Sequence, residues 1–204
     1  MIPYSRQQIT EEDIKVVADA LRDDILTGGQ KVSKFEEELA KYVGVKHVIA
    51  MNSATSALHV AYLSLGVKAG DEVITTPITF AATANAALMA GAQVKFCDVK
   101  ANGNIDEEKI PALITPKTKV ITAVDYGGNP VELDKIINLA KKHGIKVIDD
   151  ASHALGSVQN GVKVGVTAAA SWATTAGAEA AECPAEPLGL STLRAPLTYP
   201  KSSA

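Results

Sequence analysis

Ile145-Lys146-Val147-Ile148-Asp149-Asp150-Ala151-Ser152-His153-Ala154-Leu155 is the stretch that decides the fold. A short apolar run that delivers two carboxylates and a histidine at its C-terminal end describes a buried parallel strand opening into a site, which is where open α/β sheets place their chemistry. If the strand continues through both acids, Asp149 and Asp150 point to opposite faces, so only one of them faces the site directly.

The elements on either side support this reading. Thr10 opens a Thr-x-x-Asp start signal, and Ile14, Val17, Ala18 and Leu21 recur at helical spacing, which predicts a surface helix over 10–22. Ser33-Lys34-Phe35-Glu36 reads as a second capping box, with Gly44 ending that helix. Beyond it the period changes. Val45 to Met51, Glu72 to Thr75, Val94 to Asp98, Lys119 to Val124 and Lys146 to Asp149 read as strands, separated by helical segments over 54–65, 79–90 and 131–143. Such alternation implies right-handed crossovers and a mainly parallel sheet. Asn160-Gly161 reads as the type I′ turn of a hairpin projecting from that layer, and Asp106-Glu107-Glu108 as the first turn of a helix.

Composition bounds the function. With 204 residues, 47% of them hydrophobic, the chain can bury a core of one domain or of the larger part of a two-domain subunit. A formal net charge of −3 and the lack of a basic run argue against a nucleic-acid partner. The apolar stretches fall far short of the ~20 residues of a membrane span, and Met1 to Arg6 has no signal-peptide core, so a soluble cytoplasmic protein is expected. Cys97 and Cys183 have no metal-ligand spacing and read as ordinary thiols. No Gly-x-Gly-x-x-Gly turn follows any predicted strand, which disfavours a dinucleotide-binding domain.

Two further stretches sharpen the picture: Asn52-Ser53-Ala54-Thr55-Ser56-Ala57-Leu58 and Thr75-Thr76-Pro77-Ile78-Thr79-Phe80-Ala81-Ala82-Thr83-Ala84-Asn85. The first lies between a strand and a helix, where backbone N–H groups and hydroxyls converge on an anion with the helix dipole behind them; an ordinary N-cap is the competing reading. Together with Leu26-Thr27-Gly28-Gly29, Phe35-Glu36 and the Asp150 run, these stretches resemble the sugar-nucleotide aminotransferases of the DegT/DnrJ/EryC1/StrS family, and most nearly the branch serving the pseudaminic acid pathway. The resemblance extends in order from about Tyr4 to about Ser171.

That resemblance implies a three-layer α/β fold with a mainly parallel sheet, the major domain of the aspartate aminotransferase-like enzymes that use pyridoxal 5′-phosphate (PLP), here truncated. It implies cofactor contacts from Ala54, Thr55 and Ser56 to the PLP phosphate, Phe80 stacked on the pyridine ring, Asp150 holding the ring nitrogen protonated, and His153 beside the phenolic oxygen. From the residues alone Phe80 reads more readily as core than as a ring-stacking residue, and His153 equally as a structural histidine. Tyr4, Leu26, Thr27, Gly28, Gly29 and Ser56 are implied to line the sugar-nucleotide pocket. No specific role attaches to Asp125-Tyr126-Gly127-Gly128-Asn129-Pro130 beyond shaping the site floor. The implied reaction is transamination of a UDP-linked 4-keto-6-deoxy sugar with L-glutamate as donor, 2-oxoglutarate as its product, in a homodimer.

One family element is missing. The Schiff-base lysine would fall about eight residues beyond Ser171, near Glu179, and the only lysines after Lys146 are Lys163 and Lys201. From Trp172 to Ala204 there is no Ile, Val or Phe, and four of the nine prolines occur there, so 172–204 reads as a largely irregular, non-family tail with at most a short helix over 176–183. Such an abrupt loss of pattern is what a frameshift or a gene-model error produces. The chain alone is then expected to be inactive, the alternative to an enzyme being a non-catalytic fragment that keeps a partial PLP and sugar-nucleotide pocket.

Overall fold

The computed structural model describes residues 8–165 and, beyond them, the backbone of two strands within 170–181. Tyr4 and the segment after Ala181 lie outside the described residues. Five α-helices are present among them: α1 (Glu11–Ala20), α2 (Gln30–Val43), α3 (Ala54–Ser64), α4 (Ala82–Met89) and α5 (Leu133–His143). The strands are β1 (Ile49–Met51), β2 (Glu72–Thr75), β3 (Gln93–Phe96), β4 (Thr118–Val124), β5 (Lys146–Asp150), β6 (Val158–Gln159), β7 (Val162–Lys163), β8 (Ala170–Thr175) and β9 (Ala178–Ala181).

Seven of these strands form one sheet in the order β1-β9-β8-β5-β4-β2-β3. Pairing is parallel from β3 through β2, β4 and β5 to β8, while β9 runs antiparallel to both β8 and β1. The expected mainly parallel α/β sheet is therefore present. The period of two along its strands builds both faces. Val73, Val120 and Ile148 pack on one side against Leu58, Ala61 and Tyr62 of α3 and Ala86 and Ala87 of α4. Ile74, Ile121 and Val147 pack on the other side against Ile136 and Ala140 of α5. The result is a helix–sheet–helix sandwich in which the central strands β2, β4 and β5 are buried on both faces.

Several boundaries follow the sequence directly. Thr10 closes a reciprocal capping box with Asp13 at the start of α1, and Gly44 ends α2 in the left-handed conformation, φ 92°. Asn160 and Gly161 take positive φ, 51° and 79°, as a type I′ turn between β6 and β7 requires. The Lys163 ammonium ties that hairpin to α2 by donating to the Tyr42 carbonyl and lying 3.7 Å from the centre of the Tyr42 ring.

Other expectations are corrected. Ser33 is not a cap, because α2 begins at Gln30 behind an extended Gly29; Gln30, Lys31 and Val32 have no feature that keeps them out of a helix. Glu36 is instead turned inward, where Oε1 accepts the Ala50 N–H at 2.8 Å and pins β1. Asp106-Glu107-Glu108 does not open an α-helix: Asp106 caps the Glu108 N–H locally, Glu107 pairs with Lys100 and Lys135, and only a 3₁₀ turn, Ile110–Leu113, follows. Within the tail expected to be irregular from Trp172, and in place of a helix over 176–183, β8 and β9 form, while 182–204 lie outside the described residues. Main-chain pairing with β5 selects strands there, register Asp149 to Ser171 and Asp150 to Trp172, without needing a β-rich sequence.

Tyr62 joins three elements at the centre of the sandwich. Its side chain is fully buried, and its hydroxyl donates to the Thr83 carbonyl at 3.1 Å while contacting Thr122 Oγ1 at 2.7 Å. Tyr62→Phe keeps the ring and strips the polar link, so unfolding in urea should show a loss of about 1–2 kcal/mol with an unchanged m-value.

Candidate active site

The carboxyl ends of β2, β4 and β5 and the amino ends of α3 and α4 converge on a cavity of about 290 Å³. Its lining includes Ala54 and Leu58 of α3, Thr79, Phe80 and Thr83 around the start of α4, Val124 and Tyr126 after β4, and Asp150, Ser152 and His153 after β5. Parallel strands all deliver their ends to the same edge, so residues nearly a hundred positions apart meet there.

Asp150 forms the polar floor and is only 5% exposed. Its Oδ2 accepts from Thr83 Oγ1 at 2.7 Å, and its Oδ1 accepts from Ser152 Oγ at 2.5 Å and the Ser152 N–H at 3.3 Å. Three donors satisfy and orient this buried carboxylate. Phe80 stands 75% exposed at the cavity wall, the opposite of a core phenylalanine. An aromatic ring left bare beside a buried carboxylate is suited to cover a flat ligand.

At the amino end of α3, Ser53 Oγ caps the Ser56 N–H at 3.1 Å and meets Ser56 Oγ at 2.9 Å. The first N–H groups of a helix have no intrahelical partner, which leaves those of Ala54 and Thr55 to an incoming anion. Ala54 lines the cavity itself, and Thr55 and Ser56 follow it in the same first turn.

Tyr126 is a wall residue to which the sequence attaches no role. Its N–H donates to Asn104 Oδ1 at 3.2 Å, and Asn104 Nδ2 donates to the Asn129 and Pro130 carbonyls at 3.0 and 3.1 Å. The ring lies over Gly103, where a methyl group would come within 2.6 Å of Tyr126 Cδ1. Thr83 is equally hidden within a helical segment. Its signal is the spacing Thr79-x-x-x-Thr83, which stacks two hydroxyls 2.8 Å apart at the start of α4.

The remaining expected site residues fall elsewhere. Leu26 and Gly29 line a separate apolar hollow of about 230 Å³ between α1 and α2, with Val17, Leu21 and Val32. Thr27 and Gly28 sit in the exposed turn beside it. The structure does not bring this segment into the lining of the Asp150 cavity. Among the described residues no lysine lines that cavity, and no group of three or more His, Cys, Asp or Glu could hold a metal.

Asp149 faces the other way, as the strand period requires. It lines a second cavity of about 70 Å³ with Asp125, Gln159 and Asn160. Among the described residues Asp149 Oδ1 and Asp125 Oδ2 are buried without a hydrogen-bond partner, whereas Asp125 Oδ1 accepts the Val131 N–H at 2.8 Å. Burial, with the charges of Asp125 and Asp150 behind it, raises the Asp149 pKa well above the usual carboxylate range. Burial likewise pushes Asp125 up to about 6, partly opposed by the Val131 hydrogen bond.

Comparison with known proteins decides the family. The model of the DegT/DnrJ/EryC1/StrS aminotransferase family matches residues 7–174. The chain belongs to this family. A UDP-4-amino-4,6-dideoxy-N-acetyl-beta-L-altrosamine transaminase of Campylobacter jejuni is 60% identical over 168 residues, covering 81% of this chain and 44% of that protein. A Helicobacter pylori transaminase of the same name is 44% identical over 170 residues, with 82% and 45% covered. Among solved structures, Helicobacter pylori PseC, described as an aminotransferase involved in the biosynthesis of pseudoaminic acid, superposes with a TM-score of 0.85 at 40% identity, covering 89% of this chain and 52% of that one. A sugar aminotransferase of Streptococcus pneumoniae in its PLP form gives 0.86 at 30% identity, with 91% and 54% covered. The chain thus spans about half the length of the DegT/DnrJ/EryC1/StrS relatives it matches.

The buried acids set a pH dependence. An unfolded aspartate titrates near ~3.9, so between about 4 and 6 the native state keeps a proton on Asp125 that the unfolded chain has lost. Stability from this group is complete below the unfolded value and disappears as pH rises through the folded one; Asp149 has the same sign and extends the decline upward. The urea midpoint should therefore be lower at pH 8 than at pH 5, and Asp125→Asn should flatten that difference.

Proposed function

We propose that the Asp150 cavity holds PLP and that its family fold serves transamination of a UDP-linked 4-keto-6-deoxy sugar, with L-glutamate as amino donor. The observation that carries the reading is the pairing, in one cavity, of a buried and fully oriented carboxylate with an exposed aromatic face and an open helix start. That donor set fits a flat, cationic ring bearing a phosphate. Asp150 is the group to keep a proton on the ring nitrogen, Phe80 to cover the ring, and the Ala54, Thr55 and Ser56 turn to receive the phosphate. His153, exposed at the rim, is assigned to the neighbourhood of the phenolic oxygen. When bound, the protonated ring supplies an electron sink for the carbanion left as a proton leaves the substrate carbon.

The sugar-nucleotide contacts proposed for Tyr4, Leu26, Thr27, Gly28, Gly29 and Ser56, assembly as a homodimer and a cytoplasmic location belong to the same reading. The names of the 60% and 44% identical relatives support the sugar class. Residues 1–171 are proposed as the cofactor-binding portion, with 172–204 outside the family pattern.

The lysine-free lining favours a second statement about this chain: it binds PLP without a covalent bond and does not turn over. Incubation with PLP, borohydride reduction and mass spectrometry should give no stoichiometric adduct on a single lysine, while dialysis restores the free protein. A one-to-one adduct on one lysine would sink the non-covalent reading.

The catalytic reading is tested in a chain restored after Ser171 with the family's Phe-Ser-Phe-His-x-x-Lys segment and C-terminal portion. Asp150→Asn should leave PLP bound yet lower transamination by a factor on the order of 100 or more, since a neutral amide does not stabilise the protonated ring. Asp149→Asn, one residue away on the opposite strand face, should cost far less. Equal losses in the two variants would remove Asp150 from its role.

A further inference from the structure

We infer that Thr83 is the positioning residue of this site: its hydroxyl aims the Asp150 carboxylate so that Oδ2 presents its one free lone pair to a protonated ring nitrogen in the cavity. The inference rests on the cofactor reading above and adds to it a residue that acts through Asp150.

Lone-pair counting carries the first step. A carboxylate oxygen has two principal acceptor sites. Both sites of Oδ1 are taken by Ser152, through its hydroxyl and its N–H. Oδ2 has a single donor among the described residues, Thr83 Oγ1 at 2.7 Å, so one acceptor site remains on the oxygen of a residue that lines the cavity.

Direction carries the second step. A threonine hydroxyl owns one proton, and Thr83 spends it on Asp150, which as a carboxylate has none to give. In the 2.8 Å contact between the two threonine hydroxyls, Thr79 is therefore the donor. The order is fixed as Thr79 to Thr83 to Asp150, each hydroxyl oriented by the next.

Anchoring carries the third step. Ser152 lies two residues from Asp150 and moves with the same loop, so its bonds cannot set the carboxylate against the opposite wall. Thr83 comes from α4. It is fully buried, and its carbonyl accepts from the Tyr62 hydroxyl, which also meets Thr122 on β4. The carboxylate is thereby tied through one hydroxyl to α4, α3 and β4 together.

The test uses the 204-residue chain and pyridoxamine 5′-phosphate labelled with ¹⁵N in the ring, a probe that needs no lysine. Calorimetry reads affinity, and ¹⁵N NMR against pH reads the ring-nitrogen pKa of the bound probe. The ring should stay protonated to a higher pH in the complex than free, and Asp150→Asn should abolish that difference. Thr83→Val, equal in shape but without the donor, should weaken binding about tenfold and lower the bound ring pKa by about one unit. Thr83→Ser should restore both.

The sign of the pKa change is decisive. A hydroxyl that only drew charge from the carboxylate would, on removal, leave Asp150 more basic and the ring pKa higher. A hydroxyl that aims it leaves, on removal, the ring pKa lower. An unchanged or raised ring pKa in Thr83→Val overturns the inference while the cofactor reading stands. An unchanged ring pKa in Asp150→Asn, or failure of the wild-type chain to bind the probe, overturns the cofactor reading and this inference with it. If Thr83→Val loses its native melt, Thr83→Ser and Thr83→Ala, which differ only by the hydroxyl, make the same comparison.

Discussion

The register of β4 against β5 is the constraint on which the cavity depends. Val124 stands opposite Asp150 in the parallel pair, and the Asp125 N–H closes the ladder onto the Asp150 carbonyl at 3.2 Å. Two neighbouring acids at a strand end make that register critical, because a slip of one residue exchanges the faces to which they point. Asp149 would then enter the cavity, and Asp150 would lose the Thr83 hydroxyl. Below the two acids the same alternation continues, with Val120 and Ile148 in one core layer and Ile121 and Val147 in the other.

The three acids at this edge are handled in different ways, and the difference is chemical. Asp150 receives three donors. Asp125 receives one backbone N–H on one oxygen and none on the other. Asp149 has no donor on its buried Oδ1. Burying a carboxylate without partners raises its pKa, well above the usual range for Asp149 and to about 6 for Asp125. A charged Asp149 on the far side of the sheet would compete with Asp150 for any cation in the cavity.

How far the sequence reveals this depends on the range of the interaction concerned. The cap at Thr10, the stop at Gly44 and the turn at Asn160-Gly161 are local, decided by residues within one turn, and each is found where the pattern places it. The opposite orientation of Asp149 and Asp150 follows from strand geometry alone. The start of α2 is obscured because Ser33 mimics a cap while Glu36, its partner in that reading, is claimed by Ala50, fourteen residues away. Tyr126 and Thr83 lie in stretches the sequence singles out, but their individual roles are obscured for the same reason. Their roles come from Asn104 and Asp150, separated from them by 22 and 67 positions, and only the folded sheet brings these pairs together.

On the proposed reading, the separation of binding from turnover has its origin in chain order. Every group that shapes the cavity lies between Ala54 and His153. The resemblance expects the family's lysine beyond Ser171, where this sequence carries none until Lys201. Sheet completion there is a matter of main-chain pairing: β8 joins β5 and β9 joins β1 through backbone hydrogen bonds that do not depend on the family's side chains. A change in the sequence after Ser171 can therefore remove a reacting group while leaving the preceding architecture intact. A sheet built first and supplied with its nucleophile last permits catalytic loss without loss of fold, and on the proposed reading the Asp150 cavity lets recognition of a ring be studied apart from the chemistry carried out on it.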